Sequence, residues 1–224
     1  MIRIGIIGLG WWGKQIVTCL AESPRFKIVA GCDIDGKMGR PFAAQQKFDL
    51  VDDYKTLLKR SDIDAIAVVT PHLLHEEMAI ATFAAGKQVF CEKPLALTAA
   101  SAERILAACA KAGGVLGIGH ERRYEPAMEE MRRLFESGAL GRILHMDANV
   151  SHSNFRKMDP SNWRRDPQHA PAGAWTALRI HLGDMFVSLA GQFFHKQIRL
   201  MADFRLVNVG PLRVQKWLHH SQSE

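Results

Sequence analysis

An acid, an amine and a rigid proline stand together in Glu92-Lys93-Pro94, directly after the apolar run at residues 88–91. Proline disfavours helical geometry in the residue before it, so we expect Lys93 at the exit of a strand. Ligands of parallel α/β sheets bind at these carboxyl ends. A lysine there could orient a hydroxyl group, or lose its proton if burial lowers its pKa. The alternative is a surface lysine paired with Glu92.

Three histidines are further candidates for chemistry. His181 lies in a helical pattern, and a neutral imidazole can accept a hydroxyl proton near pH 7, although a structural role is an equal alternative. His72 and His75 could ligate a metal, but no carboxylate or thiol set accompanies them. The sequence therefore predicts no metal site, and capping of the helix that starts there is the alternative for this pair.

A glycine motif, Gly8-Leu9-Gly10-Trp11-Trp12-Gly13, closes the apolar run at residues 2–7 and opens a helical pattern. Gly8 permits a tight turn, Gly10 lets the backbone approach a pyrophosphate, and Gly13 lets the helix pack on the strand. In this strand–turn–helix context the motif predicts a dinucleotide site rather than an incidental turn.

Asp33 supports the same prediction, because it stands twenty residues after Gly13 at the end of the next β-rich run. Its carboxylate would accept hydrogen bonds from the adenosine ribose and repel a 2′-phosphate, which favours NAD over NADP. Lys37 and Arg40 follow closely and could soften that preference.

These side chains need a scaffold that brings strand ends together. In the first half of the chain β-rich runs alternate with helical patterns, which is typical of a parallel sheet with helices on both faces. The runs cover residues 2–7, 27–32, 65–69, 88–91 and 115–118. The expected fold class is therefore α/β, with a doubly wound Rossmann domain over residues 1–119.

The chain beyond residue 119 has a different pattern. Helical periodicity covers residues 125–135 and 174–189, an alternating run covers 142–151, and 153–173 form a long irregular stretch of the kind that is usually functional. Residues 120–224 are expected to form a second, α+β domain.

Composition limits the classes of function. The 224 residues are 47% hydrophobic, and although the net charge is +6, basic and acidic residues are interleaved, so we expect no nucleic-acid partner. With no apolar run of membrane-spanning length and no export segment before the first strand, a cytoplasmic protein is expected. The four cysteines lack metal-type spacing and are expected to be buried reduced thiols, namely Cys19, Cys32, Cys91 and Cys109.

Together these motifs resemble the Gfo/Idh/MocA family of NAD(P)-dependent oxidoreductases, the relatives of glucose-fructose oxidoreductase and inositol 2-dehydrogenase. The resemblance reaches to about Gly191 and is carried by Gly8 to Gly13, Asp33, Thr70-Pro71 with His75, Gly86 to Pro94, Arg122-Arg123-Tyr124 and His181 to Asp184. It implies a Rossmann domain followed by a domain built on a large open, mostly antiparallel sheet. The outer face of that sheet commonly makes dimer or tetramer contacts.

The resemblance also implies roles for individual residues. Lys93 matches the catalytic lysine, and His181 matches the histidine that exchanges a proton while hydride passes to or from nicotinamide. The expected cofactor contacts are Gly8, Gly10, Trp11, Trp12, Gly13, Asp33, Thr70, Pro71, His75, Glu92 and Lys93. The expected substrate contacts are Arg123, Trp163, Arg164 and His181.

The expected activity is hydride transfer between NAD, or NADP, and a secondary hydroxyl or carbonyl of a sugar, cyclitol or related small molecule. Two departures favour an alternative, a dinucleotide-binding remnant without turnover. Ala177 and Arg179 stand where many members carry aspartate and glycine. Residues 192–224 contain five Lys or Arg against Asp203 and Glu224 and read as an atypical tail, which suggests a shortened or frame-shifted relative with only part of the sheet that pairs subunits.

Overall fold

The computed structural model describes residues 1–141, 145–148, 158–171 and 179–190. All of them belong to one compact unit, Met1–Gly191. Its described part contains six strands: β1 (Ile2–Ile7), β2 (Phe26–Cys32), β3 (Asp49–Val51), β4 (Ala65–Val68), β5 (Gln88–Cys91) and β6 (Leu116–Ile118). The α-helices are α1 (Trp11–Leu20), α2 (Gly36–Gln46), α3 (Tyr54–Leu58), α4 (His75–Ala84), α5 (Ala99–Ala112), α6 (Pro126–Glu136) and α7 (Ile180–Ala190). Short 3₁₀ helices span His72–Leu74, Glu121–Tyr124 and Trp163–Arg165.

The six strands form one parallel sheet in the order β3-β2-β1-β4-β5-β6. This is the order of a Rossmann fold, so the expected doubly wound parallel sheet is confirmed. Strand β1 lies between β2 and β4, with Ile7 opposite Cys32 on one side and Val68 on the other. The reversal of strand order at β1 opens a crevice where ligands of such sheets bind.

Apolar residues cover both faces of the sheet. Successive residues of a strand point to opposite faces, and β4 shows this alternation, because Ile66 and Val68 join one buried cluster and Ala67 joins the other. The first cluster includes Phe83 of α4 and Ile105 of α5. The helices on the opposite face are α1 and α2.

Helix α5 begins and ends where its sequence predicts. The Thr98 hydroxyl accepts a hydrogen bond of 3.1 Å from the backbone N–H of Ser101, and Gly113 ends the helix at φ +58°. Threonine caps an exposed N–H of the first turn, and glycine adopts the left-handed conformation without a Cβ penalty. Helix α5 therefore leads directly into β6 at the edge of the sheet.

Three expectations differ from the structure. Strand β3 is absent from the predicted runs, because three residues carry too short a pattern to detect. Cys19 is exposed, since it lies two positions from the buried Val17 and so faces away from the sheet. The alternating run at 142–151 lies largely outside the described residues, and 145–148 within it form no strand. No helix in the described parts has the length and apolar character needed to cross a membrane.

Candidate active site

The segments that leave neighbouring strands are hydrogen-bonded to one another along a single edge of the sheet. Backbone N–H groups donate to the last carbonyls of adjacent strands at 2.8 to 3.0 Å. The pairs, donor first, are Gly8 with Cys32, Val69 with Ile7, Glu92 with Val68, and Gly119 with Cys91. The glycine turn, the Thr70-Pro71 turn, the Lys93 turn and the segment after β6 therefore begin side by side.

The glycine turn packs tightly against the protein at Gly8 and Gly13 and leaves open space at Gly10. Gly8 has φ +97°, and a Cβ there would lie 2.5 Å from the carbonyl oxygen of Val69. A Cβ on Gly13 would collide with the carbonyl oxygen of Gly8. At Gly10, the N-cap of α1, a Cβ would meet no atom within 4 Å. This space at a helix N-terminus fits a pyrophosphate, as the motif predicts.

Asp33 lies at the end of β2 beside this turn. One carboxylate oxygen accepts from the N–H of Leu9 at 2.5 Å, and the other accepts from the N–H of Asp35 at 2.8 Å. Each oxygen keeps a lone pair for a ribose hydroxyl. Arg40, which could have favoured a 2′-phosphate, is bound to Asp52 at 2.7 Å. The arrangement fits the predicted preference for NAD.

Glu92 connects the segments that follow three strands, namely β1, β5 and β6. Its Oε1 accepts a hydrogen bond of 2.7 Å from the indole N–H of Trp12, and its Oε2 accepts one of 3.2 Å from the N–H of Lys93. A Cβ on Gly119 would lie 2.5 Å from Oε1, so only glycine leaves room for this carboxylate. Burial raises the pKa of Glu92. The expected cofactor contact is thus also the group that ties the turn at Lys93 to α1.

His75 supports the turn at Lys93 by contacting two backbone carbonyl groups. The Lys93-Pro94 peptide is cis. The ring nitrogens of His75 lie 2.8 Å from the carbonyl oxygen of Pro94 and 3.0 Å from that of Thr70. His75 is fully buried, so the structure places it beneath the cleft, whereas Thr70 and Pro71 are half-buried at the exit of β4. His75 thus supports this turn, and its contact with the cofactor stays a prediction.

Lys93 is half-buried and lies near charged side chains of both signs. Burial lowers the pKa of Lys93, and the carboxylates of Glu121 and Glu92 raise it. The positive charges of Arg164 and Arg122 lower the pKa further, and the net shift is downward. An ammonium of this kind can orient a hydroxyl oxygen and release a proton more readily than an exposed lysine.

His181 meets this lysine from helix α7. The side chain is 7% exposed, and burial together with the positive charges of Lys93, Arg122 and His120 lowers the pKa of His181 to about 4. Its imidazole is therefore neutral at pH 7 and can accept a proton. Nδ1 is buried and has no hydrogen-bond partner among the described residues. The two predicted catalytic residues come together here.

Arg123 holds α7 in place. Its Nε and Nη2 donate to the two carboxylate oxygens of Asp184 at 2.6 and 2.5 Å. His120 lies beside this pair, with Nδ1 3.7 Å from Asp184, and its ring meets that of His181 edge-on at 6.0 Å. Two guanidinium nitrogens of Arg123 are engaged by Asp184, so Arg123 anchors α7, and its contact with the substrate stays a prediction.

The predicted substrate residues Trp163 and Arg164 lie on the Lys93 side of the site. The guanidinium carbon of Arg164 lies 4.3 Å from the centre of the Trp163 ring. The Trp163 ring also meets His72 edge-on at 4.7 Å. Arg164 and His72 are each within electrostatic range of Lys93, because Arg164 lowers the pKa of Lys93 and Lys93 lowers that of His72.

Sequence reasoning missed His120 and Glu121. Both directly follow the segment that leaves β6, the same type of position that singled out Lys93 after β5. The carboxyl ends of parallel strands share one edge, so this position was the available signal. The structure adds both residues to the site through His181.

The departures from the family pattern concern the residues before α7. Ala177 lies outside the described residues, and Arg179 is half-buried.

Within the described ranges no group of three or more His, Cys, Asp or Glu side chains is arranged to hold a metal ion.

Comparison with protein families agrees with this geometry. The model of the oxidoreductase family with an NAD-binding Rossmann fold, GFO/IDH/MocA, matches residues 2–120. The model of the GFO/IDH/MocA C-terminal domain matches residues 128–209. The chain belongs to the GFO/IDH/MocA family. The second match extends into residues 192–224, which were expected to form an atypical tail. The first part of that segment therefore does resemble the family.

Individual relatives point to polyhydroxylated substrates. Inositol 2-dehydrogenase 1 of Saccharopolyspora erythraea is 34% identical over 160 residues, which cover 67% of this chain and 48% of the relative. Levoglucosan dehydrogenase of Pseudarthrobacter phenanthrenivorans is 28% identical, covering 86% of this chain and 52% of the relative. A structure of levoglucosan dehydrogenase in complex with NADH and levoglucosan has a TM-score of 0.75 at 27% identity, covering 85% of this chain and 54% of that one. The chain spans about half the length of these relatives.

Proposed function

We propose that this chain is an NAD(P)-dependent oxidoreductase that interconverts a secondary hydroxyl and a carbonyl in a sugar, cyclitol or related molecule. The observation that carries the proposal is the convergence of Lys93, at the exit of β5, with His181 on α7. The positive charge of Lys93 lowers the pKa of His181, so the two side chains lie within electrostatic range of each other.

Some of the described residues would bind the dinucleotide, and others would orient the substrate hydroxyl and accept its proton. The glycine turn and Asp33 would hold the dinucleotide, and the bound nicotinamide would supply the hydride acceptor. Lys93 would donate a hydrogen bond to the substrate hydroxyl oxygen and orient it. Neutral His181 would then accept the hydroxyl proton, for which its pKa of about 4 gives the correct protonation state at neutral pH.

The substrate class is supported by two side chains on the Lys93 side of the site. An indole ring and a guanidinium, from Trp163 and Arg164, suit the apolar face and the hydroxyls of a sugar-like ring. The relatives named for inositol and levoglucosan act on molecules of this type.

The test separates binding from turnover. Nicotinamide fluorescence on mixing NADH with the protein measures binding. A panel of inositols, sugars and sugar lactones, assayed with NAD and NADH, then measures turnover. We expect steady turnover with at least one member of the panel, abolished by Lys93→Ala and unchanged by Lys111→Ala, which alters an exposed lysine on α5.

A second candidate function is dinucleotide binding without turnover. The observation that favours it is Arg179, a half-buried cation two positions before His181, where many family members carry glycine. Tight NADH binding with no turnover across the panel, in the wild type as in Lys93→Ala, would support this second function and refute the first.

A further inference from the structure

We propose that Glu121 is a positioning residue for His181, holding its imidazole in one tautomer and stabilising the imidazolium that forms when it accepts the substrate proton. This inference rests on the proposed oxidoreductase function. It is drawn from the placement of the Glu121 carboxylate 3.7 Å from the His181 imidazole.

The geometry aims Glu121 at His181. Glu121 begins the 3₁₀ helix after β6, and its Oε1 lies 3.7 Å from Nε2 of His181. Its Oε2 is buried and accepts no hydrogen bond among the described residues. One carboxylate oxygen thus lies beside the imidazole, while the Glu121 side chain as a whole is 41% exposed. Its nearness favours a proton on Nε2 and stabilises the positive charge of a protonated imidazole.

The charges around His181 explain why such a carboxylate is needed. Lys93 after β5, together with His120 and Arg122 after β6, opposes a positive imidazole. Asp184 on α7 favours it, but both oxygens of Asp184 are bound by the guanidinium of Arg123. Glu121 therefore supplies a second negative charge, and its own influence extends to Lys93, whose pKa it raises more than Glu92 does.

The proton step defines what Glu121 does. In the oxidation direction the O–H bond of the substrate would break and its proton would go to the imidazole of His181. The dinucleotide, when bound, would supply the acceptor for the hydride that leaves the same carbon as the C=O bond forms. Glu121 would lower the energy of the new imidazolium through charge, as a preorganised electrostatic group does.

The variant pair Glu121→Gln and Glu121→Asp tests this role. The first removes the charge at nearly constant size, and the second keeps the charge one methylene further away. Imidazole ¹⁵N chemical shifts of His181 at pH 7.5 report its tautomer. We expect the Nε2–H tautomer in the wild type, a mixture in Glu121→Gln, and partial recovery in Glu121→Asp. Glu129→Gln, an exposed carboxylate on α6, is the matched control.

Kinetics give the second readout. We expect Glu121→Gln to lower kcat about tenfold, with KM changed less than about twofold, and to move the acid limb of the pH profile to lower pH. An unchanged tautomer or an unchanged kcat in Glu121→Gln would overturn the proposal. If the wild type shows no turnover, the proposed function fails, while the ¹⁵N comparison still decides whether Glu121 positions His181.

Discussion

The indole N–H of Trp12 donates a hydrogen bond of 2.7 Å to the carboxylate of Glu92, which joins the first turn of α1 to the turn that carries Lys93. The two residues are eighty positions apart in sequence. Because α1 opens at the glycine turn, this hydrogen bond connects that turn to the segment that holds the candidate catalytic lysine.

Replacing Trp12 by Phe removes this donor and keeps most of the ring. The buried Glu92 then loses a partner, which typically costs about 1–3 kcal/mol, so we expect that loss of unfolding free energy and weaker NADH binding. Urea unfolding and NADH fluorescence titration measure the two effects. Trp11→Phe is the control for the unfolding free energy, the quantity in which the two substitutions are compared, since Trp11 is 74% exposed. Equal effects of the two substitutions would show that the hydrogen bond is unimportant.

Stability should fall as the solution becomes acidic. Burial lowers the pKa of His181 to about 4 and that of His72 to about 3, both below the ordinary value of 6.5. Between these values the unfolded chain binds more protons than the folded one, so protons favour unfolding. Stability is fully present above pH 6.5 and declines toward pH 4, by roughly 3 kcal/mol for His181 alone. Urea unfolding at several pH values measures the slope.

The contribution of His181 to this slope can be isolated with His181→Asn. This variant should show a smaller loss of unfolding free energy between pH 7 and pH 5 than the wild type, whatever its absolute stability. His145→Asn, a substitution at an exposed position, should leave the slope unchanged. A wild-type slope in His181→Asn would mean that His181 titrates normally in the folded protein.

Breaking the pair between Arg123 and Asp184 should loosen α7. Asp184→Asn removes the charge from a largely buried side chain that accepts two charge-assisted hydrogen bonds, so we expect a loss of about 1–3 kcal/mol of unfolding free energy. Turnover should fall more than NADH binding, because the glycine turn does not depend on α7. Arg133→Ala breaks an exposed pair with Glu130 and should cost less than about 0.5 kcal/mol. Equal costs would contradict the anchoring role.

Cofactor choice should respond to Asp52. Asp52→Ala releases Arg40 from its ion pair at 2.7 Å, which leaves the guanidinium available to a 2′-phosphate. We expect the ratio of the Kd for NADPH to the Kd for NADH to fall several-fold. Asp49→Ala breaks a comparable exposed pair with Arg60 and serves as the control. Parallel fluorescence titrations measure both ratios, and an unchanged ratio in Asp52→Ala would remove Arg40 from the account of selectivity.

How far the sequence predicted the site depends on how local its signals are. The strand ends that carry Gly8, Asp33 and Lys93 were predictable because apolar runs and turn residues are short-range patterns. The burial of His75 and the pairing of Arg123 with Asp184 were not, since both depend on which distant side chains fill the space around them. Glu121 was missed for the same reason, because its importance appears only when α7 brings His181 to it.

Gly119 and Glu121 stand two positions apart but face different constraints on substitution. Gly119 has no room for a Cβ against the Glu92 carboxylate, so this position cannot drift without disturbing three strand exits at once. The Glu121 carboxylate lies 3.7 Å from His181, and its side chain is 41% exposed. Substitutions at Glu121, just past β6, could therefore change the chemistry of this site during evolution. Gly119, two positions earlier, would meanwhile keep the dinucleotide-binding framework unchanged.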